Sequence, residues 1–108
     1  MRRSDLYRVR RPGERDPRSR VLVVASRHTL IDSRFSTVIC APVYTRREGL
    51  ATEVAVGIVE GVKHESSILC DALISVPKSA LTDFIGSLPS ERMSAFNAAL
   101  RVALALEA

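Results

Sequence analysis

The sequence has no long apolar run and no tryptophan, and its aromatic residues are two tyrosines and three phenylalanines. No segment reaches the roughly 18 consecutive apolar residues of a transmembrane helix, which excludes a protein that spans a membrane with helices. The N-terminal residues MRRSDLYRVRR lack the apolar centre of a secretory signal peptide. We therefore expect a cytoplasmic protein with no membrane partner.

Cysteine is also scarce. The two that are present, Cys40 and Cys70, lie in the apolar runs VIC and SILC, and neither CxxC nor HxxxH spacing accompanies them. Cysteines without such spacing do not make a zinc site, and in the cytoplasm buried reduced thiols are the expected state. We predict no disulfide, no metal site and no cofactor.

Lysine is rare among the basic residues, since fourteen of the sixteen are arginine. The first twenty residues carry eight arginines and three acidic residues, an excess of five positive charges, whereas the remainder has eight basic and nine acidic residues. Guanidinium groups suit bidentate contacts with phosphate, so this segment indicates a phosphate-rich or acidic partner. A solvated basic tail is the alternative interpretation.

The 108 residues are enough for one domain, over residues 1–108. Alternating and β-branched runs predict strands over residues 5–10, 20–26, 36–44, 52–61 and 66–77, followed by a short last strand. We expect a break near Pro42, one helical turn within residues 27–34, and charged loops at residues 11–19 and 45–51. Asp71 falls in the middle of the fifth predicted strand.

From Pro89 onward, the spacing of the apolar residues changes from that of a strand to that of a helix. Apolar residues recur at intervals of three and four, which predicts a helix with one buried face formed by Met93, Phe96, Leu100, Ala103 and Leu104. No internal repeat is visible. Short strands followed by one closing helix predict a mainly β (α+β) domain, a small curled antiparallel sheet or partly open barrel with a C-terminal helix.

The order of these elements resembles one known family. The segments VLVVAS, VICAPVYTRREGLATEV, SSILCD and IGSLPSERM occur in the order found in MazF/PemK-like toxins of toxin–antitoxin systems, over about residues 4–106. The resemblance implies an SH3-like barrel that forms a homodimer and is an endoribonuclease, which cleaves single-stranded RNA at preferred sequences without a metal. It also implies an antitoxin partner whose acidic, disordered C-terminal segment covers the RNA groove.

The resemblance also implies catalytic positions. An ungapped match puts Ser19 at the family's arginine, followed by Arg20, whereas one extra loop residue brings Arg18 there. The family's hydroxyl position falls on Tyr44, with Thr45 beside it. Attack of a ribose 2′-OH on the adjacent phosphate needs a base, a cation for the phosphorane and an acid for the leaving oxygen. We therefore expect Arg20 or Arg18 to face Tyr44 and Thr45.

Further residues are candidates for RNA contacts or have structural interpretations. The predicted RNA-binding positions, to which loop solvation or packing is the alternative, are Ser19, Arg46, Arg47, Arg15 and Tyr7. Asp71 is interpreted as structural or as a possible site residue, because a buried carboxylate needs a partner. His28 and His64 are interpreted as surface residues of polar turns.

Two other functions remain open. One is a catalytically weak or inactive relative that binds only RNA or its antitoxin. The other is a gyrase inhibitor similar to CcdB, acting through its C-terminal helix, which the apolar ending ALALEA disfavours.

Overall fold

The computed structural model describes residues 1–10 and 20–106. Within them, strands and helices follow the order that the sequence predicts, with one additional strand. The strands are β1 (Asp5–Val9), β2 (Arg20–Val24), β3 (Thr37–Tyr44), β4 (Glu53–Val56), β5 (Ser66–Leu69), β6 (Ile74–Pro77) and β7 (Asp83–Ser87). The helices are α1 (His28–Ile31) and α2 (Ser90–Ala103), and Pro89 precedes the first turn of α2 as its N-cap.

All the strands join one curled antiparallel sheet in the order β4-β5-β3-β2-β1-β7, with β6 paired to β3. The long strand β3 has two partners on one side: it pairs with β6 over Thr37 to Cys40 and with β5 at Val43 and Tyr44. This half-barrel with a C-terminal helix confirms the predicted mainly β fold class.

Each face of the sheet carries its own core, because side chains alternate along every strand. One face, which we call the helix face, packs against α2 through Phe96 and Leu100 and includes Leu6, Val23 and Ile68. Phe96 is fully buried, and burial of such a side chain contributes about 1.5–3 kcal/mol. The opposite face, which we call the outer face, carries a second core that includes the following buried residues: Tyr7, Leu22, Val24, Ile31, Val38, Cys40, Val76 and Leu81.

Two predictions about the strands are wrong. β3 does not break at Pro42, which pairs with Leu22 in a continuous strand. Proline is tolerated there because the pairing on the other side of β3 changes from β6 to β5 at this point, so its missing N–H interrupts no ladder. The predicted strand over residues 66–77 is two strands, β5 and β6, separated by a 3₁₀ turn at Cys70–Ala72.

The predicted stripe of α2 is partly correct. Phe96 and Leu100 are buried and Met93 is partly buried, but Leu104 is 53% exposed because the helix ends at Ala103. No helix in the described part of the chain is long and apolar enough to cross a membrane.

A close backbone approach ties β7 to the 3₁₀ turn at Ile58–Glu60. A Cβ atom added to Gly86 would lie 2.2 Å from the carbonyl oxygen of Glu60. Gly61, which has a φ of +102°, ends the turn in the left-handed region, where glycine is favoured. The contact fixes the segment that leads into Lys63 and His64.

Candidate functional site

A row of three side chains crosses the helix face where β1 and β3 end and β2 begins. Arg8 on β1 pairs with Val21 on β2, and Val21 pairs with Val43 on β3. Paired residues of neighbouring strands project from the same face, so Arg8 extends beside two apolar side chains. Thr45 follows two residues after Val43 and belongs to the same face.

These residues line a cavity of 170 Å³, which we call the Thr45 cavity. Its other wall comes from the turn before β5, which contributes Lys63 and His64, and from the first residue of β5, Ser66. Lys63 and His64 are exposed, whereas Ser66 is buried and donates a hydrogen bond from its hydroxyl to the backbone oxygen of His64 at 2.8 Å. Two cations, an imidazole and the hydroxyl groups of Thr45 and Ser66 therefore line a small, partly apolar space.

Arg8, which lines this cavity, carries a side-chain donor that has no partner among the described residues. Its Nε is buried, and no described residue offers it an acceptor within hydrogen-bond distance. A buried donor without a partner costs about 1–3 kcal/mol, and more when it is charged. An anion held in the cavity would offset part of that cost through its attraction to the guanidinium charge. Such a pocket therefore suits a phosphate group better than it suits a neutral ligand.

Tyr44 lies on the outer face, opposite Thr45. It pairs with Ser67 of β5 and lines a different cavity of 320 Å³, which we call the Tyr44 cavity. Arg20 belongs to the same face as Tyr44, because it precedes Val21 by one residue and Val21 pairs with Val43. Arg20 is exposed and is not among the residues that line either cavity.

The structure therefore separates residues that the sequence analysis grouped. It puts Arg20 and Tyr44 on one face and Thr45 on the other. Arg15, Arg18 and Ser19 lie outside the described residues.

The predicted RNA-binding residues have different surroundings. Arg46 and Arg47 are exposed, and Arg46 Nε lies 3.6 Å from Glu48 Oε1. Tyr7 is buried and meets Phe84 edge-on, with ring centroids 5.8 Å apart. Burial, and to a lesser extent the charge of Asp5, raises the pKa of Tyr7. Its surroundings favour a packing role over base stacking.

Asp71 is not in a strand but in the 3₁₀ turn at Cys70–Ala72, where it is exposed. Its Oδ2 accepts a hydrogen bond from Thr52 Oγ1 at 2.6 Å, which ties this turn to the start of β4. Cys40 and Cys70 are free and buried, and burial raises their thiol pKa to about 12 and about 11. In the described ranges, 1–10 and 20–106, no three His, Cys, Asp or Glu side chains are grouped for metal binding.

The sequence analysis missed Arg8, Lys63 and His64 as site residues. Alternation in DLYRV was the available signal for Arg8, because it puts Arg8 on the same face as the buried Leu6. No local pattern marked Lys63 and His64, since their proximity to Thr45 depends on the antiparallel pairing of β5 with β3.

The fold and the basic cavity define a class: a small antiparallel half-barrel with a C-terminal helix and a small cavity with basic residues in its lining, where β3 ends. A family model described as "PemK-like, MazF-like toxin of type II toxin-antitoxin system" matches residues 2–104. The chain therefore belongs to this family and is a MazF-like toxin of a type II toxin–antitoxin system. A search of curated proteins finds no match.

Solved structures agree with the family match. The Mycobacterium tuberculosis toxin MazF-mt6 superposes with a TM-score of 0.82 at 26% identity, over 96% of this chain and 99% of that one. An endoribonuclease in complex with its cognate antitoxin, from a mycobacterial species, gives 0.85 at 21% identity, over 100% and 98%. A MazE–MazF structure from Deinococcus radiodurans gives 0.77 at 18% identity, over 99% and 97%. At their lower identities, the second and third likenesses show the fold alone.

Proposed function

We propose that this MazF-like toxin is an endoribonuclease that cleaves single-stranded RNA, and that the Thr45 cavity holds the scissile phosphate. The observation that carries the proposal is Arg8, whose buried Nε has no acceptor among the described residues and which lines one cavity with Thr45, Lys63 and His64. Endoribonuclease is also the description of a mycobacterial relative with the same fold, at 22% identity and a TM-score of 0.82.

The reaction needs no group beyond those at the cavity and the RNA itself. The ribose 2′ oxygen bonds to the adjacent phosphorus, its proton passes to a base, the bond from phosphorus to the 5′ oxygen breaks, and the leaving oxygen takes a proton. Arg8 and Lys63 stabilise the charge that accumulates on the phosphorane. Thr45 donates a hydrogen bond to a phosphate oxygen. His64 accepts the 2′ proton as the base and, once protonated, donates it to the leaving 5′ oxygen as the acid, so one imidazole serves both transfers.

The other candidate residues extend this site. Arg46 and Arg47 contact the RNA backbone along the loop after β3, and Arg20 and Tyr44 contact it on the outer face. Arg18, Arg15 and Ser19 add contacts from the segment that precedes β2. Each phosphate neutralised on a single strand adds about −0.7 to the slope of log affinity against log salt.

The protein acts in the cytoplasm as a homodimer, and an antitoxin with an acidic, disordered segment neutralises it. The basic rim formed by Lys63 and Arg8 suits an acidic segment. Ile58 and Val59, which are 81% and 87% exposed a few residues before Lys63, supply apolar anchors for it.

The test is cleavage of a mixed-sequence single-stranded RNA in EDTA by the wild type and by Arg8→Ala, Arg8→Lys, Arg18→Ala, Arg20→Ala and Tyr44→Phe. Loss of one well-placed donor costs about 100- to 1,000-fold in rate, so Arg8→Ala should be nearly inactive. Arg34→Ala is the matched control, because Arg34 is exposed in the connection between α1 and β3. Circular dichroism shows whether each variant is folded.

Three outcomes would count against parts of the proposal. Full activity of Arg8→Ala would remove Arg8 from the mechanism. RNA binding by the wild type without cleavage would favour the inactive relative that binds only RNA or antitoxin. Loss of activity in Arg18→Ala or Arg20→Ala alone would move the catalytic cation to that residue.

A further inference from the structure

The Tyr44 cavity is concave, largely apolar and open to solvent. Tyr44, Leu50 and Leu69 form its apolar wall, and the side chains of Tyr44 and Leu50 are 44% and 52% exposed. Its volume of 320 Å³ lies at the lower end of the range of about 300–1,000 Å³ found for small-ligand sites. Two apolar side chains exposed in one concave wall indicate a flat or apolar ligand rather than open solvent.

The charged residues of the cavity exclude an anion. Arg46, Glu48 and Glu53 line it, so its charged groups sum to one negative charge. A phosphate, or the acidic segment of an antitoxin, would be repelled there. A neutral ligand that donates hydrogen bonds would be favoured.

Glu53 is the carboxylate best positioned for recognition. It is half-buried on β4, where it pairs with Leu69 of β5, and both side chains line the cavity. Its Oε2 accepts the backbone N–H of Glu48 at 3.1 Å, which holds the carboxylate in one orientation. Glu48, by contrast, is 59% exposed and lies near Arg46.

We propose that the Tyr44 cavity is a base-recognition site that takes one unpaired guanine of the RNA, stacked on Tyr44 and read by Glu53. The proposal rests on the proposed function, because RNA is the ligand of both sites. Guanine presents two adjacent donors, N1–H and the N2 amino group, to the two oxygens of a carboxylate. Adenine and cytosine present one amino group beside a ring acceptor, and uracil presents one N–H between two carbonyls. Guanine is therefore the base that matches Glu53.

The relation between the two cavities supports a nucleotide as the ligand. Thr45 and Tyr44 are consecutive and project from opposite faces at the end of β3, so the two cavities lie on either side of this strand end. An RNA strand that passes around the end of β3 holds a phosphate at Thr45 and turns a neighbouring base towards Tyr44. Phosphate contacts then position the strand, and the base contact supplies the sequence preference. Single-stranded bases are commonly recognised in this way, by stacking on an aromatic side chain and by hydrogen bonds to the Watson–Crick edge.

The experiment measures binding, so that it does not depend on cleavage. Fluorescein-labelled 2′-O-methyl oligouridylates, which lack the 2′ hydroxyl needed for cleavage, carry G, inosine, A, C or U at one central position. Inosine is the matched control ligand, because it differs from guanosine only in the missing N2 amino group. We expect the wild type to bind the G oligonucleotide about tenfold more tightly than the others, because one bidentate pair discriminates by about 1–3 kcal/mol.

Two variants test the residues. Glu53→Gln, which replaces one acceptor oxygen by a donor, should bind all five oligonucleotides equally well. Tyr44→Leu, which removes the aromatic ring, should weaken binding of all five oligonucleotides. The preference for G over the other bases should remain. Asp32→Asn, which removes an exposed carboxylate after α1, should behave as the wild type.

The outcomes separate this proposal from the proposed function. Equal binding of all five oligonucleotides by the wild type, or an unchanged G preference in Glu53→Gln, would overturn the guanine site even if RNA is cleaved. A G preference that depends on Glu53 would support it even if the wild type cleaves no RNA, which would overturn only the nuclease. Occupation of the cavity by an arginine-containing peptide in place of any base would also overturn it.

Discussion

Tyr44 and Thr45 are adjacent in the chain, yet they line two different cavities on opposite faces of the sheet. The separation follows from the alternation of side chains along β3, which continues to the last residue of the strand. The end of β3 therefore contributes side chains to two surfaces of different charge. The helix face is basic around Arg8, Lys63 and His64, whereas the outer face has two carboxylates and an exposed aromatic ring.

We predict that Thr45→Val lowers RNA cleavage by about 10- to 100-fold. A hydrogen bond to a charged phosphate is worth about 1.5–3 kcal/mol, and valine keeps the shape of threonine without the donor. Thr45→Ser should retain activity within about threefold, because the hydroxyl remains. Single-turnover cleavage of one RNA compares them, with Thr82→Val as a control at an exposed position. Equal activity of Thr45→Val and the wild type would exclude the hydroxyl from the reaction.

We predict that Gly86→Ala destabilises the fold by about 1–3 kcal/mol, the usual cost of overpacking. The added Cβ would meet the backbone oxygen of Glu60 at 2.2 Å, and two backbone segments must move apart to admit it. Gly57→Ala is the matched control, because a Cβ there would meet no atom of the described residues within 4 Å, and its stability should stay within about 0.5 kcal/mol. Urea unfolding measures both. A Gly86→Ala variant as stable as Gly57→Ala would contradict the close contact.

We predict that the two thiols make the free energy of unfolding fall as the pH rises above 9. Burial raises the pKa of Cys40 to about 12 and that of Cys70 to about 11, with the charge of Asp71 adding to the second shift, from an ordinary value of 9.0. Below pH 9 both states keep their thiols protonated, and the thiols cause no pH dependence. Between pH 9 and about 11 to 12 the unfolded thiols ionise while the folded ones do not, so the unfolded state gains stability.

To test this prediction, the wild type is compared with a double variant that carries Cys40→Ala and Cys70→Ala. The double variant starts from a lower stability because it leaves small cavities, but its decline between pH 9 and 11 should be shallower than that of the wild type. Parallel declines, measured by urea unfolding at each pH, would contradict the raised thiol pKa values. Both thiols should also resist alkylation at pH 8 until urea unfolds the protein.

We predict that Asp71→Asn changes RNA cleavage by less than about twofold. Asp71 accepts its hydrogen bond from Thr52, and neither residue lines the Thr45 cavity. In Asp71→Ala, which unlike Asp71→Asn leaves Thr52 no side-chain acceptor, the stability should fall by about 0.5–1.5 kcal/mol, the usual net value of one hydrogen bond. Thr52→Val should produce the same loss, and the double variant should lose no more than either single one. A large loss of cleavage in a folded Asp71→Asn would make Asp71 a site residue.

The fold class could be predicted from the sequence because the spacing of the apolar residues was regular in its main segments. The alternation in DLYRV, the continuous apolar run VLVV and the helical spacing after Pro89 each predicted an element that the structure contains. The break at Pro42 was wrongly predicted because proline's tolerance there depends on the change of partner from β6 to β5. That change is a property of the sheet and not of the local sequence.

The candidate site was less accessible to sequence reasoning. Thr45 was identified from the resemblance, but its neighbours at the cavity come from positions 8, 63 and 64, which only strand pairing brings together. The grouping of Tyr44 with Thr45 treated consecutive residues as one constellation. Alternation along the strand was already a reason to separate them.

The most direct test of the nuclease is the chemistry of the product ends. A single-stranded RNA of mixed sequence is incubated with the wild type in EDTA, and the fragments are analysed by mass spectrometry. Attack by the 2′ oxygen predicts a 2′,3′-cyclic phosphate on one fragment and a 5′-hydroxyl on the other, with no cleavage where the nucleotide at the cut is 2′-deoxy. Fragments that carry 5′-phosphates, or cleavage at a 2′-deoxy nucleotide, would contradict it.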